Sequence, residues 1–197
     1  MTIDPVRMTV SESIRVKQKM LDDDGLLDLI RNVAGECIAA YRRGNRLLLA
    51  GNGGSAADAQ HIAAELVGRY AFDRSGLPAI ALTTDSSMLT AIGNDYGYEA
   101  VFKRQLEANG RAGDVFIGIS TSGKSANILT VLRRARELGI KTVGLAGQDA
   151  AEMQPLCDYC LQVPSSSTPR IQEAHIMIGH IICGLVEEAL FGESGGR

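Results

Sequence analysis

The spacing of apolar positions changes along the chain, and the change divides it into helices and strands. Thr9-Val10-Ser11-Glu12 has the spacing of a capping box and predicts a helix from there to about Met20 or Leu21. Asp22-Asp23-Asp24-Gly25 interrupts it. Leu26, Leu27, Ile30, Val33, Ala34, Cys37, Ile38 and Tyr41 then recur at helical spacing. Arg42 and Arg43 suit the negative end of that helix, and Gly44 stops it. From Arg46 short apolar runs alternate with helical segments. Strands are expected at 47–50, 78–82, 115–119, 142–146 and 158–163. Helices are expected at 56–67, 98–106, 126–138 and 170 to about 190, with a short one from the Thr83–Ser87 cap through Ile92. Gly93-Asn94-Asp95-Tyr96-Gly97 reads as a polar turn.

Alternating strands and helices predict an α/β sandwich around a parallel sheet, here of five strands. No linker or break in composition divides the chain, so a single domain over residues 1–197 is expected. The two leading helices, residues 1–43, have no place in a minimal doubly wound unit and read as a packing or oligomerisation arm.

Two strand-to-helix connections carry candidate chemistry. Gly51-Asn52-Gly53-Gly54-Ser55 follows the first strand, with Ser55 as the expected cap of the next helix. Glycines there allow a tight turn and let backbone N–H groups approach an anion. His61 and Glu65 follow four residues apart, on one helix face. Ser120-Thr121-Ser122-Gly123-Lys124-Ser125 follows the third strand, and its hydroxyls and helix-start amides suit a phosphate monoester. Its ending resembles that of a nucleotide P-loop, but the motif's first glycine is read as missing, with Gly118 at the wrong spacing, so ATP is discounted. The last helix holds Gln172, Glu173, His175 and His180 among many apolar residues. Glu173 and His180, seven residues apart, share a face most closely.

Composition adds mainly exclusions. The 197 residues suffice for a sizeable core. A net charge of -3 offers no basic footprint for nucleic acid. No run of about 18 apolar residues predicts a membrane span. Met1-Thr2-Ile3-Asp4-Pro5 lacks the charged-then-apolar order of a signal peptide, and the cysteines, read as free buried thiols, suit a reducing cytoplasm. Four cysteines are too few for a disulfide scaffold, and Cys157-Asp158-Tyr159-Cys160 has redox or zinc spacing without a second pair.

Taken together, Gly51–Ser55, His61, Glu65, Ser120–Ser125, Arg170-Ile171-Gln172-Glu173 and His180 resemble the phosphoheptose isomerases, the sedoheptulose 7-phosphate isomerases of the sugar-isomerase (SIS) domain group. The similarity covers nearly the whole chain. It implies the SIS fold, a three-layer α/β/α sandwich with extra N-terminal helices. It implies aldose–ketose isomerisation between sedoheptulose 7-phosphate and D-glycero-D-manno-heptose 7-phosphate, for the heptose of bacterial lipopolysaccharide or capsule. A homotetramer with sites at subunit interfaces is implied too. By position, Asn52, Gly53, Gly54, Asn94 and Asp95 contact the sugar, and Ser55, Ser120, Thr121, Ser122 and Ser125 surround the phosphate or its neighbouring hydroxyls. Gln172 joins the substrate contacts. Glu65 and His180 match the family's base and acid. His61, Glu65, Gln172 and His180 match its zinc site, one Zn2+ per subunit. Pro169 stands where some relatives are expected to have an acidic residue, so no role is carried to it. A carboxylate held on zinc is a poorer base, so Glu65 either leaves the metal during turnover or the metal is partly structural. Two other readings compete: a non-catalytic SIS module that binds a sugar phosphate or the replication initiator protein, and an SIS isomerase for a pentose or hexose phosphate.

Overall fold

The computed structural model describes residues 4–150 and 152–192. Helices α1 (Pro5–Leu21) and α2 (Asp24–Arg42) lead into strand β1 (Leu47–Gly51) and helix α3 (Gly54–Val67). Strand β2 (Ala79–Ala81), helix α4 (Ser86–Tyr96), a single 3-10 turn and helix α5 (Val101–Asn109) follow. Then come β3 (Val115–Ser120), α6 (Ala126–Glu137), β4 (Lys141–Ala146), β5 (Tyr159–Gln162) and α7 (Thr168–Phe191). The five strands form one parallel sheet in the order β2-β1-β3-β4-β5. As a parallel sheet covered on both faces requires, β1 and β3 at its centre are buried along their length and apolar up to Ser120 at the end of β3.

Alternate strand residues feed two cores. Leu47 and Leu49 of β1 with Val115, Ile117 and Ile119 of β3 face α2, α3 and α7. Leu48, Ala50 and Phe116 face α5 and α6. These are the expected three layers. Helix α1 lies outside them against α2 and α7, tied by Arg170, whose guanidinium donates to the Thr9 carbonyl at 2.7 Å. Its Val6, Val10 and Ile14, spaced by four, are exposed.

Several boundaries differ from expectation, each for a local reason. Helix α1 begins at Pro5, not at the Thr9 box. Asp4 accepts from the Val6 N–H, and proline in the first turn forfeits no helical hydrogen bond. Ser55 is not a cap. Gly53 holds that place at φ +55°, a conformation open mainly to glycine, and Ser55 lies buried in the first turn of α3. Residues 93–96 are not a turn but the last turn of α4, which Gly97 ends at φ +83°. The predicted helix from Tyr98 begins as a 3-10 turn over residues 98–100.

Helix α7 is long and apolar enough to cross a membrane by length and composition, with a mean hydropathy of 1.5 over its window. Scattered polar residues hid this in the sequence. Its Ile171, Ala174, Ile178, Ile182 and Val186 are spent on the core, which marks it as a central packing helix. All four cysteines are free. Burial pushes the Cys37 and Cys183 thiols up to about 12, which suits packing rather than reactivity.

Candidate active site

The β1 and β3 connections open side by side because β1 and β3 are neighbours. Helix α3 leaves toward one face and α6 toward the other, so a crevice forms at the carboxyl ends of the strands. A cavity of about 320 Å³ lies there, lined by Asn52, Gly53, Gly54, Ser55, Ser120, Thr121, Ser125, Thr168 and Gln172 along with Ile119.

Three helix N-termini meet at this cavity, those of α3, α6 and α7, and none has a side-chain cap. By contrast α1, α2 and α4 are each capped by an aspartate, Asp4, Asp23 and Asp85. An uncapped helix start leaves N–H groups and the positive dipole end for an outside anion. Five hydroxyls line the same space, from Ser55, Ser120, Thr121, Ser125 and Thr168. Ser120 and Ser125 lie 2.9 Å apart, Oγ to Oγ. A dianion seated here meets donors on every side and no lining carboxylate.

Gly54 permits this closeness to α7. A Cβ built there would sit 2.5 Å from Gln172 Nε2. Ser122 faces differently from its neighbours. Its Oγ accepts from the Lys124 N–H, and it lines an adjoining cavity with Thr121 and Lys124. Gly118 does stand five residues before Gly123, as in a nucleotide P-loop, so the sequence alone does not exclude that motif. The structure does. Gly118 is mid-strand, paired with Ala50 and Gly144, and so adds nothing to a phosphate-wrapping loop. Lys124 meanwhile reaches Asp149 at 3.1 Å.

Asn94 and Asp95 are exposed in the last turn of α4, joined to each other at 2.9 Å, and lie outside the cavity lining. The segment's link to the cavity is Tyr98, whose hydroxyl donates to Asn52 Oδ1 at 3.3 Å. Asn127, at the start of α6, completes this corner by pairing its amide with that of Asn52. Sequence reasoning missed both residues, since neither carries a spacing signal.

His61, Glu65 and His180 do come together. His61 Nε2 is 3.1 Å from Glu65 Oε1 and 3.3 Å from His180 Nε2. One ligand atom from each lies within 4.8 Å of the others. Two imidazole nitrogens and a carboxylate turned toward one point fit zinc and leave room for a further ligand. The Tyr70 ring lies 5.8 Å from that of His180.

Gln172 is not brought to this trio within one chain. It packs on Gly54 at the cavity, eight residues or about 12 Å along α7 from His180. Glu65 stands about 16 Å along α3 from Gly54 by the same measure.

His175 is wholly buried, and burial pushes its pKa down to about 4. It is therefore neutral near pH 7, and its Nε2 hydrogen-bonds the Ala146 carbonyl at the end of β4. Glu173 is held by Arg170 at 2.8 Å and Lys17 at 3.8 Å.

The SIS domain family matches residues 14–147. The phosphoheptose isomerase of Aneurinibacillus thermoaerophilus is 62% identical over 188 residues, 95% of each chain. Phosphoheptose isomerase 2 of Campylobacter jejuni is 61% identical over 183 residues, 93% of this chain and 91% of that one. Among solved structures, the phosphoheptose isomerase of Francisella tularensis superposes with a TM-score of 0.90 at 33% identity, covering 95% of this chain and 99% of the other. That of Neisseria gonorrhoeae gives 0.87 at 42% identity, covering 93% and 97%.

Proposed function

The chain belongs to the phosphoheptose isomerases of the SIS-domain group, and from that membership we propose a division of labour for its residues. The reaction is the aldose–ketose interconversion of sedoheptulose 7-phosphate and D-glycero-D-manno-heptose 7-phosphate, in heptose biosynthesis. One observation carries the assignment: a cradle at three uncapped helix starts and a His61–Glu65–His180 trio share the pair of packed helices α3 and α7.

The cradle binds the C7 phosphate through Ser55, Ser120, Thr121 and Ser125, and Asn52, Gly53, Gly54 and Gln172 contact the sugar. Asn94 and Asp95 join them from the α4 rim, and Ser122 supports the loop from its outer side. Phosphate binding far from the reacting carbons supplies energy for orienting them. Glu65 removes the proton next to the carbonyl, an enediol forms, and the proton returns to the neighbouring carbon. His180 supports the charge developing on the carbonyl oxygen. His61, Glu65 and His180 would hold one Zn2+ per subunit, and the ion would supply Lewis-acid polarisation of an oxygen. Gln172 joins it only from a neighbouring copy.

A site shared between copies suits the distances along α3, and a homotetramer is what the family reading adds. A seven-carbon chain stretched at roughly 1.2 Å per bond, the rise of an extended backbone, spans about 8–10 Å with its phosphate ester. The 16 Å along α3 between Gly54 and Glu65 exceeds that. The surface near the trio also exposes Val67, Ile181 and Leu185, and α1 exposes its apolar stripe. Exposed apolar faces of this kind mark association sites. In this reading the loop of one copy and the carboxylate of another act on the same substrate. In this reading the protein works in the cytoplasm, with helices α1 and α2 as an arm on a single SIS domain.

Mixing tests the shared site. Assayed at substrate well below the wild-type KM, where each is poorly active alone, Ser120→Ala and Glu65→Gln chains should regain activity when refolded together, because some interfaces then pair an intact loop with an intact carboxylate. No gain in tetramers shown to contain both chains would place all groups of a site in one copy. The zinc assignment predicts about one zinc per chain after dialysis, lost in both His61→Ala and His180→Ala, with a lower Tm in zinc-containing buffer. Full zinc in either variant would remove that histidine from the site.

The cradle predicts a graded series. Ser120→Ala should raise KM by about 10- to 100-fold with a smaller change in kcat, since a hydrogen bond to a charged group is worth about 1.5–3 kcal/mol. Ser122→Ala should do less, because its hydroxyl is turned to Lys124. Steady-state kinetics check both, and a wild-type KM in Ser120→Ala would dismiss the phosphate assignment.

A further inference from the structure

The corner of the cavity beside Asn52 is built differently from the rest. Asn52 lies on the β1 connection, Asn127 in the first turn of α6 and Tyr98 in the 3-10 turn before α5. The Asn52 and Asn127 amides bond each other in both directions, Nδ2 to Oδ1 at 2.9 Å each way. The pair spans the crevice between β1 and β3, whose helices depart to opposite faces of the sheet. Asn127 is 3% exposed, whereas a polar residue in a first helical turn is ordinarily solvated. Its burial is met by the bond to Asn52, as a buried amide requires.

The donor and acceptor inventory then fixes what Asn52 offers. Its Oδ1 has two lone pairs, one taken by Asn127 Nδ2 and the other by the Tyr98 hydroxyl at 3.3 Å. One of its two amide hydrogens goes to Asn127 Oδ1. A single N–H remains, and Asn52 lines the cavity. Held from two sides in this way, the side chain keeps one rotamer and loses little freedom when a ligand arrives.

We infer that Asn127 and Tyr98 are positioning residues for substrate binding: they hold Asn52 so that it presents one N–H donor to an acceptor oxygen, a hydroxyl or carbonyl, of the sugar phosphate. The inference rests on the reading of Asn52 as a sugar contact. It adds that two residues without substrate contact set the polarity and rotamer of that contact. It also gives the amide pair a second duty, keeping the two loops of the cradle at one spacing.

A double-mutant cycle with sedoheptulose 7-phosphate separates this from a structural role. Asn52→Ala should raise KM about 10-fold or more. Asn127→Ala should raise it comparably, and the double variant should match Asn52→Ala alone within about twofold. Tyr98→Phe keeps the exposed ring and removes only the hydroxyl, so its folding is safe if Asn127→Ala proves unstable. It should raise KM by a few-fold in the wild-type background and not at all in Asn52→Ala. Effects of Asn127→Ala or Tyr98→Phe that multiply with a large Asn52→Ala effect would overturn the inference and leave Asn52 as a contact. An unchanged KM in Asn52→Ala would overturn both.

Discussion

Glu65→Gln should leave less than about one hundredth of wild-type turnover while sugar-phosphate binding persists, because removing a general base costs roughly 10²- to 10⁴-fold. The substitution keeps the side chain's size and one oxygen ligand but removes the charge and the basicity. The trio around it stays assembled, since His61 and His180 keep their own contact. Binding depends on the cradle, whose donors come from other residues. Calorimetry should therefore show near-normal affinity for the sugar phosphate in a protein that does not turn it over, measured at saturating zinc so that weaker metal binding does not confuse the result. Near-normal kcat would mean that the base lies elsewhere. The structure narrows the replacements. Glu173 is committed to Arg170 and Lys17, whereas Asp95 is exposed at the α4 rim with only Asn94 beside it.

The largest effect on stability is expected at Arg74 and Glu187, which sequence reasoning passed over. The pair is almost wholly buried, at 2% and 1% side-chain exposure, with Nε to Oε1 at 2.9 Å. Glu187 also accepts from the Tyr70 and Ala71 N–H groups. Arg74 donates to the Glu65, Leu66 and Gly68 carbonyls, which ends α3, and to that of Ser75. One ion pair thus ties the α3–β2 connection to α7. It also holds Tyr70 beside His180 and fixes the backbone at Glu65. Breaking it from one side leaves a buried charge without a partner, which costs about 3–5 kcal/mol. Glu187→Ala and Arg74→Ala should each lower stability by that amount in chemical denaturation. A paired Arg74→Met, Glu187→Leu variant should recover only part, because the N–H and carbonyl groups that bond the pair remain unmet. Losses below about 1 kcal/mol in both single variants would show that water reaches the site and replaces the missing partner.

The same pair gives stability a pH dependence. Burial alone would raise the Glu187 pKa, but the Tyr70 and Ala71 amides and the Arg74 guanidinium outweigh it and leave it lowered. A carboxylate lowered on folding contributes stability above its unfolded pKa and loses it as pH falls through the folded value. The Glu187 contribution should therefore be complete above the ordinary glutamate range and fade in acid below it. Buried neutral His175 acts at higher pH. Its folded value near 4 lies below the ordinary 6.5, so the unfolded chain binds the extra proton and stability declines between those values as pH falls.

The sequence by itself determined the layers and the chemistry of the site. Apolar runs of strand length followed by helical spacing leave few arrangements other than a covered parallel sheet, because strands without polar alternation must be buried on both faces. The glycines of residues 51–54 and the hydroxyls of residues 120–125 pointed to an anion site as the expectation, since few other uses need those residues between a strand and a helix. His61 and Glu65 were legible as a pair because helical pitch brings residues four apart together.

Only the tertiary structure decided which distant residues join them. The meeting of His180 with His61 depends on how α7 lies along α3, and Gly179 packing on Ile62 fixes that, something no local pattern encodes. The same alignment seats Gln172 against Gly54, at the end of α3 away from the trio. Where α4 ends was likewise hidden, because Gly93 and Asn94 read as turn residues until packing against α5 holds them helical. Asn127, Tyr98, Arg74 and Glu187 were invisible for one shared reason. A polar side chain has the same sequence signature on a solvated surface as in a buried network, and only the fold supplies the partner that makes its burial affordable.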